Sequence, residues 1–75
     1  MGKKIFASRL KELRINKNIS TRHLARMLGY KSASVIVDLE SGAKFPSVEK
    51  LISVAKYFNV SIDWLLGLSS KRGVL

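Results

Sequence analysis

The stretch that decides the fold is STRHLARMLGYKSASVIVDLESG, residues 20–42. It holds two short segments with apolar residues at helical spacing, Leu24, Ala25 and Leu28 in the first and Val35, Ile36 and Leu39 in the second. An i, i+3, i+4 spacing gives each helix one buried stripe, and a glycine after each segment supplies the left-handed residue at which helices commonly end. The stretch therefore predicts two short helices joined by a tight connection, a helix-turn-helix.

Three further helices are expected around this pair. Serines stand where helices should begin, because a serine hydroxyl accepts from the free amides of a first helical turn. The predicted caps are Ser20, Ser32, Ser47 and Ser61. Helix one is predicted over residues 5–17, helix three over 33–41, and the last helix from Ser61 to a stop at Gly67. Short connections between five capped helices indicate a compact all-α domain over residues 1–67.

The fourth helix has a regular apolar stripe that we expect to lie in the core: Val48, Leu51, Ile52, Ala55 and Phe58. Residues 68–75 show little pattern and are expected to form a flexible tail, or a linker to a further part of a longer protein.

Composition limits the class of protein. The 75 residues are 47% hydrophobic and include no cysteine, which indicates one globular domain without disulfides or a cysteine-based zinc site. No stretch approaches the ~20 apolar residues of a membrane span, and Arg9 interrupts the N-terminus before a signal sequence could form. We therefore expect a cytoplasmic protein that does not enter the membrane.

The charge is high and unevenly placed. The chain has 14 basic and 5 acidic residues, a net charge of +9. Residues 1–31 hold nine basic residues against Glu12 alone, a balance of +8, whereas residues 32–75 hold five basic and four acidic residues, a balance of +1. A basic half indicates a polyanionic partner, nucleic acid first and an anionic membrane second. The alternative is a charge that serves solubility only.

The second helix of the pair can enter a DNA major groove. With Ile36 and Leu39 facing the core, the 100° step turns Ser34, Val37 and Asp38 outward. Val35 lies near the margin of this face. Val35 or Val37 either packs on a neighbouring helix or meets a thymine methyl group, and the Asp38 carboxylate can accept from a cytosine amino group.

Catalysis is not expected. The chain has one isolated histidine, His23, which we interpret as a surface residue, and no metal, cofactor or small-molecule substrate is predicted. Asp38 and Glu40 are two positions apart on one helix, so they do not face each other.

The ordered set RLKELR (9–14), IST (19–21), HLARMLG (23–29), VDLESG (37–42), Pro46-Ser47 and LISVAKYFNVSIDWLLG (51–67) resembles the Cro/C1-type (XRE) helix-turn-helix family. The resemblance implies a five-helix fold like that of phage lambda repressor. It also implies a sequence-specific transcriptional regulator, here expected to be a repressor, that binds a two-fold symmetric operator in double-stranded DNA as a homodimer.

The resemblance also assigns roles to residues. It implies a partly buried ion pair between Arg14 and Glu40. It places four residues on bases: Ala33, Ser34, Val37 and Asp38. It places Lys44 on a phosphate. The free amides at the start of helix two also make an anion site, and the full set of predicted phosphate contacts is Thr21, Arg22, Lys31, Ser32 and Lys44. Residues Phe45-Pro46, the end of helix four and Trp64 match surfaces that family dimers often use.

The chain departs from the family pattern at the positions that read DNA. Thr21 stands where Gln is usual, the head of helix three lacks Gln, Arg or Asn, and Tyr30-Lys31 fills a turn that is normally one residue shorter. Specificity is therefore expected to depend on DNA shape, methyl contact and half-site spacing. The alternative is an antitoxin-like or partner-binding regulator that keeps the fold with weak or no base readout.

Overall fold

The computed structural model describes residues 3–73, and within them the chain forms five α-helices. They are α1 Lys3–Asn16, α2 Thr21–Met27, α3 Ala33–Ser41, α4 Val48–Phe58 and α5 Ile62–Leu65. The predicted all-α class is confirmed, and α3 has the predicted bounds. The predicted domain 1–67 and tail 68–75 also include residues 1, 2, 74 and 75, which lie outside the described part. None of the helices within residues 3–73 has the length and apolar character needed to cross a membrane.

Each predicted serine cap is present. The hydroxyl oxygens of Ser20, Ser32, Ser47 and Ser61 accept from the amides of His23, Ser34, Lys50 and Trp64, respectively. After each helix the chain passes through a residue of positive φ: Asn18, Gly29, Gly42, Asn59 and Gly67. These local signals fix the helix ends, because they satisfy amides and carbonyls that have no partner within the helix.

The core lies between α1, α2 and α3 and is closed by α4 and α5. Phe6, Leu24, Ile36 and Leu39 are fully or almost fully buried, and Val54 and Leu65 reach them from the last two helices. Helix α3 packs on both α1 and α2. Its inner face is therefore held on two sides, while its outer face is free of the domain's own packing.

The prediction for the stripe of α4 is wrong in part. Leu51 and Ala55 are buried as expected, and Phe58 is half-buried against the core. Val48 is 72% exposed and Ile52 is 37% exposed. Val54 is fully buried, as is Ala55, and Val54 lies on the other flank of the Leu51–Ala55 line. The helix has two overlapping apolar faces, and packing against α5 and the core selects the one that contains Val54.

Trp64 lies in the core and does not form part of an open surface. Its side chain is 5% exposed because two guanidinium groups cover the ring, Arg9 at 4.7 Å and Arg72 at 4.9 Å from its centroid. Arg9 also donates to the carbonyls of Trp64 and Ser69, and Arg72 pairs with Glu12 on α1. In this structure, residues 69–72 thus lie back against α1 and α5.

Candidate nucleic-acid interface

The outward face of α3 is formed by the residues that the 100° step predicts. Ser34 is exposed, Val37 is 53% exposed, and Asp38 and Ala33 are partly exposed at the margins. Val35, by contrast, packs against the core. Of the two valines for which packing was the alternative, Val35 is the packed one and Val37 is available to a partner.

A basic groove of about 500 Å³ lies beside the start of α3. Its cationic lining residues are Arg22, Arg26 and Lys31, and Ser32 and Ala33 form its edge next to α3. Arg22 and Arg26 are four residues apart on α2, so they share one face of that helix. Three cations around one groove suit an anionic ligand with several charged oxygens.

Three of the five predicted phosphate-contact residues line the groove, together with Arg26, which is not among the predicted residues. Arg22, Lys31 and Ser32 line it together, whereas Thr21 is partly buried at the first position of α2. Lys44 lies apart, beyond the other end of α3. The predicted site does not include Arg26, although its i, i+4 spacing from Arg22 is visible in the sequence.

An ion pair orients α3 relative to α1. The Arg14 guanidinium donates to both carboxylate oxygens of Glu40, from Nε to Oε2 at 2.6 Å and from Nη2 to Oε1 at 3.1 Å. Its Nη1 donates to the carbonyl of Ile19 at 2.9 Å, in the loop before α2. The hydrogen bond to Glu40 raises the pKa of Arg14 above its ordinary value. One side chain thus holds α1, the α1–α2 loop and α3 together.

The connection between α2 and α3 is held by α4. Gly29 has a φ of 81°, and the Tyr30 amide donates to the carbonyl of Ala25 at 2.8 Å, which closes α2. Lys50 on α4 donates to the carbonyl of Leu28 at 2.6 Å, and its ammonium lies 4.9 Å from the centroid of the Tyr30 ring. Burial raises the pKa of the Tyr30 phenol above its ordinary value of 10.0. The longer turn is therefore an ordered part of the structure.

Asp38 and Lys44 form the charged end of the α3 face. Lys44 Nζ lies 3.7 Å from Asp38 Oδ2, and the two side chains are 66% and 37% exposed, respectively. The Lys44 amide also donates to the backbone carbonyl of Asp38 at 3.2 Å. The loop after α3 is thereby fixed with its ammonium beside the carboxylate.

Exposed apolar side chains lie near and on the first half of α4. Phe45 is 45% exposed although its ring packs edge-on against Phe6 at 5.4 Å, and Val48 and Ile52 are exposed one helical turn apart. We call Phe45, Val48 and Ile52 the α4 patch. It overlaps the Phe45-Pro46 region that was predicted to serve a dimer.

Residues 3–73 contain no group of three His, Asp or Glu side chains arranged to hold a metal ion. His23 is exposed on α2, as expected. Around the start of α3 the chain offers cations and helix-start amides to anionic oxygens, beside a small face with one carboxylate and one exposed valine.

Comparison with known proteins agrees with this geometry. A family model described as helix-turn-helix matches residues 10–65. The chain is 41% identical over 61 residues to an HTH-type transcriptional activator, BcrR, of Enterococcus faecalis, covering 81% of this chain and 29% of the relative. It is 39% identical over 64 residues to an HTH-type transcriptional regulator, AnsR, of Bacillus subtilis, covering 85% and 54% of the two chains.

A third relative, an uncharacterised HTH-type transcriptional regulator, YobD, of Bacillus subtilis, is 31% identical over 65 residues, covering 87% of this chain and 57% of the relative. The matched region thus spans between about a third and somewhat over half of the length of these relatives. No solved structure matches the chain significantly.

Proposed function

This chain belongs to the Cro/C1-type (XRE) helix-turn-helix family, and from that membership we propose that it is a transcriptional regulator that binds double-stranded DNA in a sequence-specific manner. Helix α3 would lie in the major groove, with Ala33, Ser34, Val37 and Asp38 toward the base edges. The three relatives bear the names of HTH-type transcriptional regulators, which supports the proposal.

The observation that carries the proposal is the position of the basic groove. Arg22, Arg26 and Lys31 surround about 500 Å³ directly beside the exposed start of α3. A helix in the major groove passes between two phosphate backbones, so cations are needed at its flanks. Lys44 supplies a cation at the other end of the helix. The proposed phosphate contacts are Thr21, Arg22, Lys31, Ser32 and Lys44, with Arg26 added.

Salt dependence of binding to duplex DNA tests the proposal. The logarithm of the association constant should fall linearly with the logarithm of salt concentration, by a slope of about 0.9 for each phosphate neutralised. Changing Arg22 and Arg26 to Gln should weaken binding and lower the slope by about 2. Lys56→Gln removes an exposed cation from α4 outside the groove and serves as the matched control. A slope that falls by the same amount per charge removed in the two variants would show that only net charge attracts DNA.

The proposal includes a homodimer on a two-fold symmetric operator. The α4 patch supports it, because Phe45, Val48 and Ile52 leave apolar surface exposed in the single chain. Val48→Asp should lower the fraction of dimer in sedimentation and weaken binding to a two-half-site duplex more than to a single half-site. Equal weakening on both duplexes would contradict a role for the patch in dimer formation.

We propose repression as the direction of regulation. An operator that overlaps a promoter is blocked by occupancy alone, which requires only the DNA-binding surface described above. The name of one relative describes an activator, so a reporter with the operator placed either over or upstream of the promoter separates the two directions. Repression predicts lower expression only in the overlapping arrangement.

A second candidate is a partner-binding regulator that keeps the fold with little base readout. The exposed Val37 at the centre of the α3 face favours it, because this side chain offers no hydrogen bond to a base. Absence of duplex binding at about 50 mM salt, where phosphate contacts are strong, would favour this second candidate.

A further inference from the structure

The charge of the α3 face is carried by one side chain. Ala33 and Val37 are apolar, and the Ser34 hydroxyl is engaged with the Ser32 hydroxyl at an O–O distance of 2.8 Å. This leaves the Asp38 carboxylate, 37% exposed, as the charged hydrogen-bonding group among the four proposed base contacts. If the face discriminates bases by hydrogen bonding, Asp38 is the residue best placed to do so.

The loop after α3 is built around Asp38. The backbone carbonyl of Asp38 accepts from three amides of the loop: Gly42, Ala43 at 3.0 Å and Lys44 at 3.2 Å. It also accepts from the Ser41 hydroxyl at 3.1 Å. These bonds turn the chain back over the end of the helix. They bring Lys44 Nζ to 3.7 Å from the Asp38 carboxylate.

This pairing removes the main objection to a carboxylate at a DNA interface. A lone negative charge there would be repelled by the phosphates on both sides of the groove. With Lys44 beside it, the pair carries no net charge, and Lys44 is exposed enough to contact a phosphate at the same time. The pair thus keeps a hydrogen-bond acceptor at the groove and reduces the repulsion between the carboxylate and the phosphates.

We propose that Asp38, neutralised by Lys44, is a specificity-determining residue that selects a cytosine in each operator half-site. This inference rests on the proposed DNA-binding function. An ionised carboxylate only accepts hydrogen bonds, so it has no partner on guanine N7 and O6 or on thymine O4. Adenine places its N7 acceptor next to its amino group, whereas cytosine presents its amino group alone. Cytosine is therefore the base that fits.

The change Asp38→Asn makes the inference testable, because an amide both donates and accepts and pairs with adenine at N6 and N7. Selection from a random duplex pool should enrich cytosine at one position per half-site with the unaltered chain and adenine at that position with Asp38→Asn. Each protein should prefer its base over the other bases at this position by about 5- to 150-fold, and the rest of the consensus should be the same for both. Asp63→Asn, an exposed aspartate on α5, is the matched control and should leave the whole consensus as it is.

A modified base tests the same contact without altering the protein. Replacing the selected cytosine by 2-pyrimidinone, which lacks the 4-amino group, should weaken binding at least about fivefold, whereas the same replacement at a flanking cytosine should not. Lys44→Gln should weaken binding to all sequences and keep the cytosine preference. Its effect should be smaller when Asp38→Asn is also present, since no carboxylate is then left uncovered.

The outcomes separate the inference from the function on which it rests. One consensus shared by the unaltered chain and Asp38→Asn, or no effect of 2-pyrimidinone, overturns the role of Asp38 while DNA binding stands. If the unaltered chain shows no salt-dependent binding to any duplex, the proposed function fails and the inference fails with it.

Discussion

Arg14 on α1 and Glu40 on α3 share two hydrogen bonds, of 2.6 and 3.1 Å, and only 15% and 7% of their side-chain surfaces are exposed. Removing one partner leaves the other charge partly buried and unpaired. We expect Glu40→Ala to lower the free energy of unfolding by about 2–3 kcal/mol, somewhat less than a fully buried pair, because Arg14 keeps its hydrogen bond to Ile19. Urea denaturation followed by circular dichroism measures this.

The control for this prediction is Glu49→Ala. Glu49 is exposed in the first turn of α4, where a carboxylate stabilises the helix by less than about 1 kcal/mol. Equal losses for the two variants would show that the Arg14–Glu40 pair has no special role.

Substitutions at two serine caps should distinguish an effect on stability from an effect on DNA binding. Ser20 caps α2 and Ser47 caps α4, and each accepts a hydrogen bond from a first-turn amide, at 3.0 and 3.2 Å respectively. We expect Ser20→Ala and Ser47→Ala each to cost about 1 kcal/mol of stability. Only Ser20→Ala should also weaken DNA binding, since it lies at the start of the helix next to the basic groove. Thermal unfolding and a binding titration on both variants decide this.

Two valines of α4 differ in burial. Val54 is fully buried and Val48 is 72% exposed. Val54→Ala should cost about 2 kcal/mol, because two methyl groups are lost from a packed core. Val48→Ala should change stability by less than about 0.5 kcal/mol when measured at concentrations too low for a dimer. If Val48→Ala were the more destabilising change, the assignment of the buried face of α4 would be wrong.

We expect ionisation of the Tyr30 phenol to lower the free energy of unfolding at high pH. Burial raises the pKa of its phenol in the folded chain above 10.0. The folded chain therefore keeps this proton longer than the unfolded chain, so the contribution is complete below pH about 10 and is lost as pH rises through the folded pKa. Tyr30→Phe should reduce the loss of stability between pH 8 and pH 11, measured by urea denaturation. Tyr57→Phe is the control, and an equal reduction there would contradict the role of Tyr30.

The helix ends were predictable because their signals are local. Ser20, Ser32, Ser47 and Ser61 each bond to an amide two or three residues away, so the sequence alone contains the whole interaction. The outward face of α3 was predictable for the same reason, since the positions of Ile36 and Leu39 determine it.

The errors concern contacts between residues distant in sequence. Periodicity could not choose between the faces of α4 that contain Val48 and Val54, because both include Leu51 and Ala55. The burial of Trp64 depends on Arg9, which is 55 positions away in the chain. The hydrogen bond from Lys50 to the carbonyl of Leu28 likewise needs the packed structure to be seen.

Lys50 links two surfaces that carry separate proposals. It bonds to the α2–α3 connection at Leu28, and its own helix carries Val48 and Ile52 of the α4 patch. An occupant of the patch that displaced α4 would change the position of α3, and hence the affinity for DNA. By thermodynamic linkage, DNA would change the affinity of that occupant by the same factor. If the occupant is a second copy of this chain, as in the proposed homodimer, operator occupancy would depend on protein concentration more steeply than binding to a single independent site allows.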